Sequence, residues 1–194
     1  MDYLIYSLAE LRAAEVDTAV LSAEELATAQ KRGADYAMIR SVLKHELARR
    51  CGCDARDITF CYGEHGKPHC DRQPFNLSHS GDCLCIAFHH QSTGVDVEYI
   101  RPRKYDSLAS RFMCDQQLQA FRSRGCPQEE FFACWCAAEA LVKHAGDTMW
   151  NARAYPFIYQ HGRIQCLFAD APHIELFTPS PGYQGAVAYT PAIP

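Results

Sequence analysis

The sequence predicts an α+β protein made of two similar lobes that meet near residue 94, each a mainly antiparallel sheet packed by a long helix. Three observations lead there. A long helical pattern followed by strand-like runs occurs once in each half of the chain. No visible repeat and no low-complexity linker separates the halves. With 194 residues, 48% hydrophobic and 22% charged, the chain is long enough for one sizeable core or two small lobes sharing one.

The elements follow in order. A short strand is expected over residues 3–8. Ser22-Ala23-Glu24-Glu25 fits a capping box, in which Ser and Glu side chains satisfy free backbone N–H groups at a helix start. Helical patterning then runs to residue 50, with a break near Gly33 and Gly52 as C-terminal cap. A strand over 58–62 leads into a turn at 63–68, and strand-like runs cover 75–78, 83–89 and 94–98. Residues 107–124 read as one helix, and Pro127 opens a long one that ends at Gly146. Runs at 157–160 and 163–168 flank a His161-Gly162 turn, and strands at 173–177 and 185–189 complete the chain.

Charge and composition exclude several classes. A net charge of −4 and a pI near 6.1 argue against a general nucleic-acid binder. No apolar run approaches the ~20 residues that span a bilayer. Met1-Asp2-Tyr3 lacks the basic start of a secretory signal, so a cytoplasmic protein is expected. The cysteine count, eleven, is odd, and the pairs Cys51/Cys53, Cys83/Cys85 and Cys134/Cys136 lack the C-x-x-C spacing of zinc ribbons. Reduced cysteines filling a core are the expectation.

Three short stretches carry chemistry. In Gly94-Val95-Asp96-Val97-Glu98, strand geometry puts both valines on one face and both carboxylates on the other. Alone, such a pair is also compatible with an ordinary strand end. On the following long helix, Trp135, Glu139 and Lys143 are spaced by four and form one stripe. Glu139 and Lys143 could be a surface ion pair, but the large aromatic above them argues against a wholly solvated stripe. A third carboxylate from Glu139 would complete an all-oxygen set suited to Mg²⁺, with Lys143 facing the same phosphate as a point charge. The third stretch, Phe75-Asn76-Leu77-Ser78-His79-Ser80 before Gly81, offers hydroxyls, an imidazole and a flexible backbone for phosphate oxygens.

Taken in order with Gly66-Lys67-Pro68 and Trp135-Cys136-Ala137-Ala138-Glu139-Ala140-Leu141-Val142-Lys143, these stretches resemble the Sfp-type 4′-phosphopantetheinyl transferase family. The resemblance implies a pseudo-twofold fold with coenzyme A between an N-terminal lobe, 1–93, that contacts its phosphates and a C-terminal lobe, 94–194, that carries the metal site and catalytic helix. It implies that Asp96, Glu98 and Glu139 hold Mg²⁺, and that Lys67, Ser78, His79 and Lys143 contact phosphates. Lys31 and Arg32, then Arg40, are the basic residues it suggests for the 3′-phosphate. The implied reaction moves 4′-phosphopantetheine to a serine of an acyl or peptidyl carrier protein and releases 3′,5′-ADP. Glu139 and Lys143 are its catalytic residues, and whether Glu139 serves as base, ligand or both stays open.

The chain departs from the family pattern at Ala138, where Lys is common, and at Asp35-Tyr36, where Gly-Arg is common. Arg101, Arg103, Lys104 and Arg111 form a candidate patch for an acidic carrier, or simply a solvated basic loop. A monomer is the simpler expectation for two lobes in one chain, with no nucleic-acid or membrane partner. An impaired coenzyme A-binding homologue and a Mg²⁺-dependent phosphodiesterase are the competing readings.

Overall fold

The computed structural model describes residues 1–14, 16–64 and 66–191; His65, in the expected turn, and residues 192–194 of the expected second lobe lie outside these. Strand β1 (Asp2–Ser7) leads into α1 (Leu8–Ala13), α2 (Ala23–Arg32) and α3 (Ala34–Cys51). The short strands β2 (Cys61–Tyr62) and β3 (Pro68–His69) form a ribbon ahead of β4 (Phe75–Ser80), β5 (Cys83–Phe88) and β6 (Thr93–Tyr99). Then come α4 (Tyr105–Ala109), α5 (Asp115–Ser123), α6 (Gln128–Ala145), β7 (Phe157–Gln160), β8 (Arg163–Cys166), β9 (His173–Phe177) and β10 (Tyr183–Tyr189). This is an α+β arrangement of helices and antiparallel sheets.

Local signals set most boundaries. Ser22 and Glu25 form the capping box, at 3.2 and 2.9 Å. Gly33, at φ +95°, separates α2 from α3, while Gly52 and Gly146 close α3 and α6 in the left-handed region. Two expected elements differ. The helix expected over 107–124 is two helices, because residues 110–114 leave the helical path and bury Phe112 and Met113. The strand expected over 58–62 shrinks to Cys61–Tyr62, because residues 55–57 form a 3₁₀ turn that drives Ile58 into the core. Leu8–Ala13, unread in the sequence, is a one-turn helix capped by Ser7.

Two three-stranded antiparallel sheets share one strand order, β1-β5-β4 and β6-β10-β9. In each, the last strand of the chain segment lies in the middle. The first sheet packs on α3 through Leu43, Leu47, Leu84 and Ile86. The second packs on α6 through Ala137, Leu141, Ala186 and Ala188. Cys83, Cys85 and Ala87 of β5 meet Val95, Val97 and Val187 in a third cluster where the sheets adjoin. Cys83 and Cys85 thus fill the interior from one strand face, and all eleven cysteines are free thiols.

At Gly94, β6 runs hard against the backbone of α6. A Cβ at Gly94 would stand 2.0 Å from the Ala140 carbonyl oxygen and 2.5 Å from the His144 nitrogen. Only a residue without a side chain lets the helix lie this close. Replacing Gly94 by Ala should therefore lower stability by roughly 1–3 kcal/mol or more, as overpacking does. Gly63→Ala, whose Cβ would meet nothing nearer than 3.9 Å, is the control. Urea unfolding of both variants measures the difference.

Candidate functional site

Strand β4 is two-faced, and its alternation organises the site. Asn76, Ser78 and Ser80 point toward β6. Asn76 Oδ1 accepts from the Val95 N–H at 2.8 Å, and Ser80 Oγ accepts from the Tyr99 N–H at 3.1 Å. Ser78 donates to Asp96 Oδ1 at 2.7 Å, and Ser80 donates to Glu98 Oε2 at 3.0 Å. Side-chain oxygens take the place of a backbone ladder between the two sheets.

Helix α6 adds the stripe expected of it. Along the helix from Phe131 to Val142, Trp135 and Glu139 are half-buried while their neighbours are buried, and Lys143 follows on the same line. Trp135 packs edge-on to Phe112 at 5.4 Å. Lys143 Nζ donates to Asp96 Oδ1 at 2.7 Å, to the Val95 carbonyl at 3.1 Å and to Ser78 Oγ at 3.3 Å, and lies 4.0 Å from Glu139 Oε2. Burial pushes the Lys143 amine down, but Asp96 and then Glu139 outweigh it and leave the pKa raised. Glu139 is also raised, chiefly by burial, against the pull of Lys143 and with the repulsion of Asp96 and Glu98.

Asp96 is 5% exposed, and its second oxygen, Oδ2, has no hydrogen-bond partner. A buried carboxylate oxygen without a donor is costly, and a cation is the group that would relieve it. Glu98 and Glu139 both act electrostatically on this neighbourhood, so the carboxylate set suits a hard, oxygen-seeking ion such as Mg²⁺. The three are not drawn tightly together. Lys143 stands between Asp96 and Glu139, and Arg103 reaches Glu98 at 3.4 Å.

The opposite face of β4 borders a cavity of about 1120 Å³, lined here by Phe75, Leu77 and His79 together with Asn76. Ser78 and His79, adjacent in sequence, therefore serve opposite sides of the strand. Across the cavity α2 and α3 present Arg32, Tyr36, Arg40 and Lys44. Arg40 is 7% exposed and lies between the rings of Tyr36, at 5.2 Å, and Phe60, at 4.4 Å. Its Nη2 donates to the Tyr36 hydroxyl at 3.1 Å, while Nη1 has no partner. Glu25 balances this cluster: it pairs with Lys44 at 3.2 Å and lies 3.8 Å from Arg40 Nε.

The remaining candidates divide. Arg32 borders the cavity, whereas Lys31 is exposed and outside its lining. Asp35 is held by Arg12 at 2.7 Å, which lowers its pKa, and Tyr36 stands between Arg32 and Arg40. Lys67 donates to the carbonyls of Thr93 and Lys143, at the end of α6. Burial and then the charge of Lys143 lower its pKa to about 8. Ala138 is 2% exposed inside the α6 core, so a lysine there would have to be buried. Arg101, Lys104 and Arg111 are exposed; Arg103 turns inward to Glu98. Asn76 and Ser80, read in the sequence only as part of the stretch 75–80, are joined by Phe60, Lys44 and Glu25, which sequence reasoning missed for this site. The N-x-S-x-S alternation was the available signal for the first two.

Comparison with known proteins finds similarity to one group of enzymes. A family model described as the 4′-phosphopantetheinyl transferase superfamily matches residues 92–178, a stretch that contains Asp96, Glu98, Glu139 and Lys143. A putative 4′-phosphopantetheinyl transferase of Synechocystis is 33% identical over 142 residues, 66% of this chain and 58% of that protein. The 4′-phosphopantetheinyl transferase Sfp of Bacillus subtilis is 27% identical over 164 residues, 77% of this chain and 69% of its own length. The 4′-phosphopantetheinyl transferase AcpT of Salmonella typhimurium is 36% identical over 99 residues, 46% of this chain and 50% of that protein. The chain is thus similar to 4′-phosphopantetheinyl transferases over its second half and to several such enzymes over longer stretches. It spans between half and about two-thirds of these relatives.

The histidine behind Lys143 gives a pH dependence. Burial, then Lys67 and His89, lower the His144 pKa from 6.5 to about 4. Between those values the unfolded chain takes up a proton that the folded protein refuses, so stability is full above pH 6.5 and falls as pH drops toward 4. His144→Gln should flatten this part of the stability profile, leaving the smaller parallel contribution of His89. Urea midpoints at several pH values for both proteins measure it.

Proposed function

We propose that this protein transfers the 4′-phosphopantetheine arm of coenzyme A to a serine of an acyl or peptidyl carrier protein. The observation that carries the proposal is the buried Asp96, with one oxygen fixed by Lys143 and Ser78 and the other without a partner. The family model that matches residues 92–178 and the names of the relatives support it. The two sheets with one strand order support two lobes, 1–93 and 94–194, with the coenzyme between them.

In this reading the nucleotide end of coenzyme A occupies the cavity. Arg40 Nη1, the unpartnered buried donor, and Arg32 meet the 3′-phosphate, with Lys31 outside as a longer-range charge. His79 meets a phosphate from the cavity side of β4. Lys143 and Ser78 approach from the other side, and Lys67, with two of its three N–H donors on carbonyls, keeps the third for a phosphate. Asp96, Glu98 and Glu139 would hold Mg²⁺, which supplies charge neutralisation and alignment of the diphosphate.

The carrier serine hydroxyl attacks the β-phosphorus, its proton passes to a base, and the bond to 3′,5′-ADP breaks. Glu139 would take that proton, directly or through water, as well as hold the metal. Lys143 offsets negative charge at the same place. The exposed Arg101, Lys104 and Arg111 offer an acidic carrier a docking surface, and Arg103 instead steadies Glu98.

Intact-mass measurement after incubation with coenzyme A, Mg²⁺ and a panel of apo carrier proteins tests the function. One phosphopantetheine added to a carrier is expected. Coenzyme A binding without transfer to any carrier would mean a binding homologue, and phosphodiester hydrolysis without an acceptor would mean a phosphodiesterase. Glu139→Gln should cut transfer by roughly 100-fold or more while leaving the circular dichroism spectrum unchanged. Arg40→Gln should raise the KM for coenzyme A by about ten- to a hundredfold, the value of a charged hydrogen bond, with a smaller change in kcat.

A further inference from the structure

Cys61, His69 and Asp71 gather on the ribbon outside the α3–β4 cavity. Cys61 on β2 and His69 on β3 are direct cross-strand partners, so their side chains share one face. Asp71 follows His69 by two residues, with the buried Cys70 turned the other way between them. One ligand atom from each of the three lies within 4.8 Å of the other two, and all three residues are exposed.

The cysteine usage makes this cluster unusual. Ten of the eleven cysteines are buried or half-buried, as thiols that act as small apolar residues should be, and Cys61 alone is exposed. It stands opposite an imidazole and near a carboxylate. The ribbon also needs support, since a ladder of two residue pairs has little stability of its own.

We propose that Cys61, His69 and Asp71 form a binding site for a transition-metal dication, with Zn²⁺ as its natural occupant. Sulfur, nitrogen and oxygen donors together suit Zn²⁺ and disfavour Mg²⁺ and Ca²⁺, which take oxygen shells. Zinc bonds of roughly 2.0–2.3 Å place tetrahedral ligands closer together than 4.8 Å, so side-chain rotation alone draws the three in. Three protein ligands leave one position for water or an outside ligand. Binding displaces the thiol proton to solvent and fastens β2 to β3. Tyr62, Gly66 and Pro68 of the same ribbon border the cavity, so the metal would stiffen that wall from outside.

The test is titration of the metal-free full chain with Co²⁺, followed by absorption, and displacement by Zn²⁺. One equivalent of Co²⁺ should give a thiolate-to-cobalt charge-transfer band, which Zn²⁺ removes. The band should vanish in Cys61→Ser, and affinity should fall by roughly tenfold or more in His69→Ala and in Asp71→Ala. Because all three side chains are exposed, these variants should keep the wild-type circular dichroism spectrum. In the unmodified chain, stoichiometric Zn²⁺ should slow alkylation of Cys61, read by peptide mass. A cobalt band that persists in Cys61→Ser, or alkylation of Cys61 at the same rate with and without Zn²⁺, would overturn the proposal.

Discussion

The contact between α6 and β6 governs much else in this molecule. At Gly94 the helix backbone lies where a side chain would be. From that point, Lys143 reaches across to the Val95 carbonyl and to Asp96, and the strand carries Asp96 and Glu98 outward from the same start. The ion pair at 2.7 Å is half-buried, and its worth in stability is small beside the cost of leaving either partner alone. What the contact fixes is position. A strand carboxylate, a helix carboxylate and a helix amine are held together by packing that none of them supplies.

The first sheet meets this arrangement through β4, whose two faces do different work. One face contributes Asn76, Ser78 and Ser80 to the boundary with β6, and the other contributes Phe75, Leu77 and His79 to the cavity. The basic side of the cavity is organised by Glu25, which completes a helix cap with Ser22 and also faces Lys44 and Arg40. One carboxylate therefore starts a helix and holds two cations beside the cavity.

Features encoded by neighbouring residues were legible in the sequence. The Ser22–Glu25 box, the breaks at Gly33 and Gly52 and the end of α6 at Gly146 depend on local backbone chemistry, and the structure shows each. The Trp135, Glu139 and Lys143 stripe follows from helical period. Features set by distant partners were not legible. The inward turn of Arg103 depends on Glu98, and the second role of Glu25 depends on α3. The break within 107–124 arises because Phe112 and Met113 find a core that local propensity cannot report. Strand period alone could have separated Ser78 from His79, since adjacent strand residues face opposite ways.

The serines and asparagine of β4 have a consequence for the protein among many copies of itself. β4 and β6 are both outer strands of their sheets, and an outer strand with free N–H and C=O groups invites pairing with another chain. Here they face one another, and Asn76 and Ser80 occupy the N–H groups of Val95 and Tyr99. Each sheet thus screens the other's sticky margin, leaving β1 and β9 as the outer margins of the pair. Three small polar side chains bind the sheets to each other and help keep the folded chain from templating its own aggregation.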